Sequence, residues 1–117
     1  MKHTIMLKKN YEFKNVLSKG KYYSAENIEA FILKNNFTYN LLGLAISTKI
    51  GKAVKRNKIK RLIRENYNNI ENSIKKGYSI VFLWKKKANI KNATYYNIKK
   101  DINIIFDKAK MNLKEEF

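Results

Sequence analysis

The 117-residue chain contains no cysteine, and this absence excludes disulfide bonds and thiolate metal sites. Histidine is almost absent as well, since the only one is His3, near the start of the chain. Zinc hydrolase chemistry and histidine-based catalytic triads therefore have no support in this sequence. We predict no catalytic residue and no metal ligand in the chain.

Long apolar runs are also missing. No run approaches the roughly 20 residues that a bilayer-spanning helix needs, and the opening MKHTIMLKKN is too short and too polar for a signal peptide. We therefore expect a cytoplasmic protein. The absence of proline, together with abundant Asn, Ile and Lys, is typical of an AT-rich coding sequence. The length suits a single domain over residues 1–117, and a hydrophobic content of 44% suffices for a modest core.

Acidic side chains are scarce, with 9 Asp and Glu against 26 Lys and Arg, which gives a formal net charge of +17. Self-repulsion at this level destabilises a compact monomer unless a polyanion neutralises it. The composition therefore predicts a nucleic-acid partner, with an anionic membrane surface as the weaker candidate. Arginine is scarce as well: all three (Arg56, Arg61 and Arg64), against 23 lysines, lie in the segment GKAVKRNKIKRLIREN, residues 51–66.

The periodicity of apolar residues predicts an α+β fold in which helices pack on one sheet. The first predicted helix is capped by Asn10 and ends at Gly20, and strands follow at 28–34 and 41–48. A second helix follows Gly51 and runs to about residue 74, before a strand at 78–84 and a last helix capped by Thr94. A short additional strand fits residues 21–24. The strands at 28–34 and 41–48 are predicted to pair as an antiparallel hairpin, and residues 85–92 form a solvated basic loop.

The helix after Gly51 has one apolar side and one cationic side. Ile59, Leu62 and Ile63 face one way, whereas the opposite flank carries Arg56, Asn57, Lys58, Lys60, Arg61 and Arg64. Like charges four residues apart cost a helix a few tenths of a kcal/mol per pair, so stability alone does not favour this pattern. The planar guanidinium group binds phosphate oxygens bidentately, which a lysine cannot do. The segment therefore predicts a phosphate-binding helix face, against the alternative of a merely solvated face in a basic protein.

The run KIGKAVKRNKIKRLIRE, residues 49–65, resembles the signature of the bacterial ribonuclease P protein component, whose RNR motif matches residues 56–64. Upstream, LKKNYEFKNVLSKGK (7–21) is similar to the first helix of that family, and GLAISTKIG (43–51) to the strand that leads into the motif. The resemblance implies a two-layer α/β sandwich in the order α-β-β-β-α-β-α. This fold is shared with a domain of ribosomal protein S5 and has a left-handed βαβ crossover around the RNR helix.

The resemblance also implies a function. A catalytic RNA, with its magnesium ions bound mainly by that RNA, removes the 5′ leader of precursor tRNA, and the protein subunit assists this endonucleolytic step. The implied partners are the catalytic RNA and precursor tRNA, with no membrane and no further protein. A protein in this role needs no nucleophile or base of its own, which agrees with the absence of a catalytic constellation.

Two sets of site residues follow from the resemblance. The RNR helix is implied to contact the catalytic RNA through Lys52, Arg56, Asn57, Lys58, Lys60, Arg61 and Arg64. The cleft between the first helix and the sheet is implied to hold the single-stranded leader through Phe13, Leu17, Phe31, Ala45 and Lys49. The alternative for Phe13 and Phe31 is ordinary core packing.

Three positions depart from the family pattern. Leu17 stands where the family often has a second aromatic residue, Glu29 places a negative charge near the leader path, and Lys55 replaces a commonly apolar residue. None of them lies in the RNR core. Leu17 belongs to the implied leader cleft and Glu29 lies near it.

Other functions remain open from composition alone. A small structural ribosomal protein that binds ribosomal RNA would be equally basic. Only the RNR segment distinguishes this alternative from a ribonuclease P protein. A membrane-active protein is disfavoured because residues 52–64 contain no aromatic side chain for the interface. A protein that binds duplex DNA is disfavoured because the sequence has no recognisable helix-turn-helix spacing.

Overall fold

A computed structural model describes residues 1–113 of the chain. Five strands and three α-helices follow the order β1 (Thr4–Met6), α1 (Asn10–Lys19), β2 (Lys21–Ser24), β3 (Ile28–Lys34), β4 (Asn40–Leu44), α2 (Ala53–Ile70), β5 (Tyr78–Trp84) and α3 (Tyr95–Lys108). Short 3-10 turns lie at Thr48–Ile50, Glu71–Ser73 and Ile90–Asn92. The predicted α+β class is confirmed, and β2 is the additional short strand.

The sheet has the strand order β1-β4-β5-β3-β2. The predicted hairpin between β3 and β4 is wrong, because β5 lies between these strands, parallel to β4 and antiparallel to β3. Ile80 of β5 is opposite both Leu42 and Ile32. The alternation of side chains along a strand sets which face is buried but does not determine which strand is its neighbour. Since β4 and β5 are parallel neighbours, α2 forms the crossover connection between them.

The strand β1 precedes the element order that the resemblance implied, and it pairs in parallel with β4 at one edge of the sheet. Its entry into the sheet is held by the end of α2. The backbone N–H groups of Lys2 and His3 donate to the Glu71 carboxylate at 3.0 and 3.3 Å. The Thr4 and Tyr67 hydroxyls are 2.7 Å apart. A strand of three residues is too short for its sequence pattern to stand out.

One face of the sheet and the helices α2 and α3 enclose the main core. On β3 the predicted alternation is confirmed, since Ile28, Ala30 and Ile32 are buried and the residues between them are only partly so. Phe82 of β5 and Phe106 of α3 are fully buried, with ring centres 5.8 Å apart. The predicted cap of α3 is also confirmed, because the Thr94 hydroxyl accepts a hydrogen bond from the Asn97 N–H at 3.2 Å.

The helix α1 packs on the other face of the sheet, where Val16 joins Leu7 and Val81 in a smaller core. The close approach depends on Gly43 in β4, since a Cβ atom there would lie 2.5 Å from Cε1 of Phe13. The N-cap of α1 is Lys9 and not the predicted Asn10.

Two predicted ends differ from those observed. The helix α2 ends at Ile70 and is followed by the 3-10 turn Glu71–Ser73, so the regular helix stops before residue 74. The strand β4 ends at Leu44, because the chain leaves the sheet before the 3-10 turn Thr48–Ile50. This early exit brings the segment after β4 towards the start of α2, where the candidate site lies.

Candidate nucleic-acid interface

The outer side of α2 carries the cations that the sequence singled out. The buried side consists of Ile59, Leu62, Ile63, Asn66 and Tyr67. All seven predicted RNA-binding residues lie outside it: Lys52, Asn57, Lys58 and Arg61 are exposed, and Arg56, Lys60 and Arg64 are half-buried. We call these seven residues the arginine face. The fold therefore brings them together on one helix, with their charged groups available to a partner.

Arg56 is held against the start of the helix. One guanidinium nitrogen, Nη1, donates to the backbone carbonyl of Gly51 at 2.6 Å. A guanidinium group has five N–H donors, so this contact leaves most of them available to phosphate oxygens. Because the side chain is already ordered, binding costs less conformational entropy than it would for a free side chain.

Arg61 forms the only ion pair within residues 1–113, from its Nη1 atom to Oε1 of Glu65 at 2.9 Å. Their side chains are 55% and 47% exposed. An exposed pair of this kind contributes about 0–1 kcal/mol, because water competes for both charges. A phosphate group can therefore replace Glu65 as the partner of Arg61 at little cost.

A shallow depression lies on the arginine face. It has a volume of about 700 Å³ and is lined by Val54, Asn57, Lys58, Arg61 and Arg64. Three cations and one amide surround it, so it can accept a phosphate and its sugar.

The predicted leader-binding residues also lie together, on the α1 side of the sheet. Phe13, Leu17, Phe31 and Ala45 are half-buried and pack around the small core. Lys49 is exposed on the 3-10 turn that follows β4. The two rings thus contribute to packing, as the core-packing alternative required, and still keep part of their surface in contact with solvent.

A groove of about 580 Å³ opens beside Phe13. Its walls are Asn10 and Phe13 of α1, the segment 44–48 that follows β4, and Lys60 of α2. We call this the leader groove, after the leader-binding role that the resemblance implied for Phe13 and Ala45. Lys60 is the point at which the arginine face reaches it. The residues that sequence reasoning missed here, Asn10, Ser47 and Thr48, are small polar side chains with no distinctive pattern.

Glu29 lies on the same face of β3 as Phe31, and its carboxylate accepts a hydrogen bond from a neighbouring side chain. The Tyr22 hydroxyl donates a hydrogen bond to its carboxylate. This hydrogen bond raises the pKa of the Tyr22 phenol above its usual value. The Tyr22 and Phe31 ring centres are 5.2 Å apart. Glu29 therefore belongs to a side-chain cluster at the β2 end of this face.

Lys55, the other charged departure from the family pattern, is exposed at the start of α2.

Within the part of the chain that the structure describes, no three His, Asp or Glu side chains come together as metal ligands. Among the same residues, no helix is both long enough and apolar enough to cross a bilayer.

Comparison with known proteins decides the family. The ribonuclease P family model matches residues 1–110. The chain belongs to the ribonuclease P protein family. It is 41% identical over 87 residues to the ribonuclease P protein component of Clostridium botulinum, covering 74% of this chain and 78% of that protein. It is 37% identical over 108 residues to the protein component of Clostridioides difficile, with coverages of 92% and 93%.

The fold agrees with this family. The structure of the ribonuclease P protein of Staphylococcus aureus superposes with a TM-score of 0.81 at 28% identity, covering 92% of this chain and 97% of that one. These similarities support a ribonuclease P protein subunit and do not support the ribosomal alternative. A protein of this family has an RNA partner and takes part in tRNA processing.

Proposed function

We propose that this chain binds the catalytic RNA of ribonuclease P through the arginine face and the 5′ leader of precursor tRNA through the leader groove. In this way it assists the endonucleolytic step that yields the mature 5′ end of the tRNA. The observation that carries the proposal is the arrangement of both sets of residues. Six polar and cationic side chains lie outside the buried side of α2, with Lys52 at its N-cap, and one of the six, Lys60, also lines the groove.

The arginine face is suited to the folded RNA, which presents many phosphates. Each phosphate that Lys or Arg neutralises releases counterions, so affinity falls steeply with salt when several are bound. Guanidinium groups add directional hydrogen bonds to this charge attraction. The pair formed by Arg56 and Gly51 fixes one such group before binding. Docking of a rigid RNA requires this kind of fixed geometry.

The leader groove is suited to a single strand. A ring such as Phe13 can stack on any base, at about 1–3 kcal/mol per base, without reading its identity. Precursor tRNAs have leaders of many sequences, so a tolerant contact is what the substrate needs. Lys60 lines the groove and Lys49 directly follows the wall residue Thr48, so both can supply charge for the leader phosphates.

The hydrolysis itself is assigned to the RNA, with Mg²⁺ held mainly by the RNA subunit. The chain supplies positive charge, which lowers the repulsion between the catalytic RNA and its RNA substrate. The protein is therefore expected to matter most when magnesium is scarce. We expect it to act in the bacterial cytoplasm, where tRNA precursors are made.

The test is a cleavage assay with the full-length protein and its cognate catalytic RNA. At low magnesium, we expect the protein to stimulate 5′-leader removal from precursor tRNA strongly, with a smaller effect at high magnesium. Binding to the catalytic RNA is measured in parallel. A protein that neither binds this RNA nor changes cleavage contradicts the proposal.

A further inference from the structure

A second groove lies on the opposite side of α1 from the leader groove. Its volume is about 610 Å³. The walls come from α1 and from the connection between β3 and β4, and the apolar lining residues are Leu7, Val16, Leu33 and Leu41. None of the predicted site residues lines it. A groove of this size with a mostly apolar lining fits a planar, partly apolar group such as a nucleobase.

Two aromatic side chains on opposite walls of this groove are largely exposed. Tyr11 of α1 is 67% exposed, and Phe37 of the β3–β4 connection is 50% exposed. The Phe37 ring stacks on Tyr39 with a centre distance of 5.0 Å and an interplanar angle of 14°. Exposed rings in a basic protein are the elements that bind single-stranded RNA without sequence preference.

The position of Phe37 is fixed by the sheet beneath it. Its N–H donates to Oδ1 of Asn35 at 2.8 Å, and Nδ2 of Asn35 donates to the Ser79 hydroxyl at 3.2 Å. The Asn35 N–H donates to the carbonyl of Gly77 at 2.8 Å, and Gly77 has a φ of 90°, which favours glycine. The β3–β4 connection is thereby tied to the start of β5. Phe37 is consequently a preorganised contact.

The charges around the second groove favour a polyanion. Lys34 lines it, and Nζ of Lys9 lies 5.7 Å from the centre of the Tyr11 ring. The one acid among the lining residues, Glu12, accepts a hydrogen bond from the Lys9 N–H at 3.1 Å. Its charge is thus engaged by the backbone at the start of α1. Cations beside exposed rings match the phosphates and bases of a single strand.

The two grooves come close together at the start of α1. Asn10 lines the leader groove and Tyr11 lines the second groove. Their Cα atoms are neighbours in the chain, about 3.8 Å apart. A strand that leaves the leader groove there has only to round the first turn of α1 to enter the second groove. Lys8 and Lys9, both exposed, lie beside that path.

We propose that the second groove binds the upstream nucleotides of long 5′ leaders, whose bases stack on Tyr11 and Phe37. This inference rests on the proposed function, because it extends the leader beyond the first groove. Short leaders end before they reach it. The chain would therefore hold precursors with long leaders more tightly than those with short ones.

The experiment compares precursor tRNAs whose leaders are lengthened stepwise, bound to the holoenzyme of full-length protein and cognate catalytic RNA. With the unaltered protein, affinity should rise once the leader outgrows the first groove. The double variant Tyr11→Ala/Phe37→Ala should lose this gain, by about fivefold or more per stacked base, and should bind short leaders normally. Tyr96→Ala is the matched control, because Tyr96 is 78% exposed on α3.

The outcomes separate the two proposals. If affinity does not depend on leader length, or if the double variant weakens short and long leaders equally, the second groove does not bind the leader. If the unaltered protein fails to bind or stimulate cleavage even with short leaders, the proposed function itself fails. Phe37→Tyr, which keeps a ring at this position, should retain the gain, and its loss would contradict stacking.

Discussion

The arginine face and the leader groove are two different kinds of surface. The arginine face is a convex helix side that carries every arginine of the chain and no aromatic residue. The leader groove is concave, with the half-buried ring of Phe13 and the side chain of Lys60 on its walls. The affinity of phosphate contacts falls steeply as the salt concentration rises, whereas the affinity of base stacking depends less on salt. In the proposed function, the first surface would supply affinity for a folded RNA, and the second would supply tolerance of leader sequence.

The largest expected effect comes from the arginine face. Arg56→Ala and Arg61→Ala should each weaken binding of the catalytic RNA by about tenfold or more, because a hydrogen bond to a charged group contributes about 1.5–3 kcal/mol. The slope of log affinity against log salt should fall by about one for each phosphate that the variant no longer neutralises. Filter binding across a salt series measures both quantities.

Two further variants serve as controls for this prediction. Lys86→Ala removes an exposed charge from the loop after β5 and should have a much smaller effect. Equal losses from Lys86→Ala and from the arginine variants would mean that the arginines act only as diffuse charge. Arg56→Lys keeps the charge but removes the planar fork, so it should recover only part of the affinity.

The next largest effect is expected at the leader groove, where a variant should weaken leader binding and leave binding of the catalytic RNA unchanged. Gly43→Ala adds a Cβ atom that would lie only 2.5 Å from Cε1 of Phe13, which is too close. The ring must shift, so leader affinity should fall about fivefold, the value of one weak stacking contact. Binding of the catalytic RNA should stay unchanged. Overpacking should also lower the free energy of unfolding by about 1–3 kcal/mol.

Thr38→Ala is the control for Gly43→Ala, because Thr38 is exposed in the connection that precedes β4. Leader affinity is read from binding of precursor tRNA relative to a tRNA without a leader. A parallel loss of affinity for the leader and for the catalytic RNA would show that the two surfaces are not independent.

A smaller effect, of opposite sign, is expected at Glu65. Glu65→Gln releases Arg61 from its ion pair and removes a negative charge from the arginine face. Affinity for the catalytic RNA should rise by about two- to fivefold, and stability should change by less than about 1 kcal/mol. Glu26→Gln makes the same change of net charge at an exposed position outside the helix. An equal gain from both variants would rule out a local effect.

The smallest effect on RNA binding is expected at Glu71, outside both surfaces. Burial pushes its pKa upward, but hydrogen bonds from Thr4, Lys2 and His3 and the nearby N-terminal charge outweigh it, so the pKa lies below its usual value. The lowered pKa means that Glu71 stabilises the fold above the ordinary glutamate pKa of about 4.3. This contribution is lost as the pH falls through the lower value in the folded protein.

Glu71→Gln should therefore lower stability by about 1 kcal/mol at neutral pH and reduce the loss of stability on acidification below about pH 4.3. Denaturant unfolding at several pH values measures both effects, with Glu26→Gln as control. RNA affinity should be unchanged. A clear loss of RNA affinity would mean that the anchored N-terminal segment helps to position the arginine face.

The features that the sequence predicted correctly depend on neighbours along the chain. The buried side of α2 and the alternation of β3 are both set by side-chain periodicity. The Thr94 cap needs only a hydroxyl three residues before an N–H group. The arginine face followed from the same helical periodicity, since residues four apart lie on one side of a helix.

The features that the sequence did not predict depend on long-range contacts. No local pattern places β5 between β3 and β4, and the predicted hairpin failed for this reason. The second groove joins Tyr11 to Phe37, which lie in different elements and come together only when α1 packs on the sheet. The half-burial of Phe13 and Phe31 likewise depends on that packing.

The insertion of β5 between β4 and β3 has a consequence for synthesis on the ribosome. Until Tyr78–Trp84 has emerged, β1 with β4 and β2 with β3 are two separate strand pairs without a common ladder. The apolar side chains of β3 and β4 then lack their final neighbour, which makes the nascent chain prone to aggregation. A chain that stops before residue 78 cannot complete the sheet, so cooperative folding should begin only after most of the message has been translated.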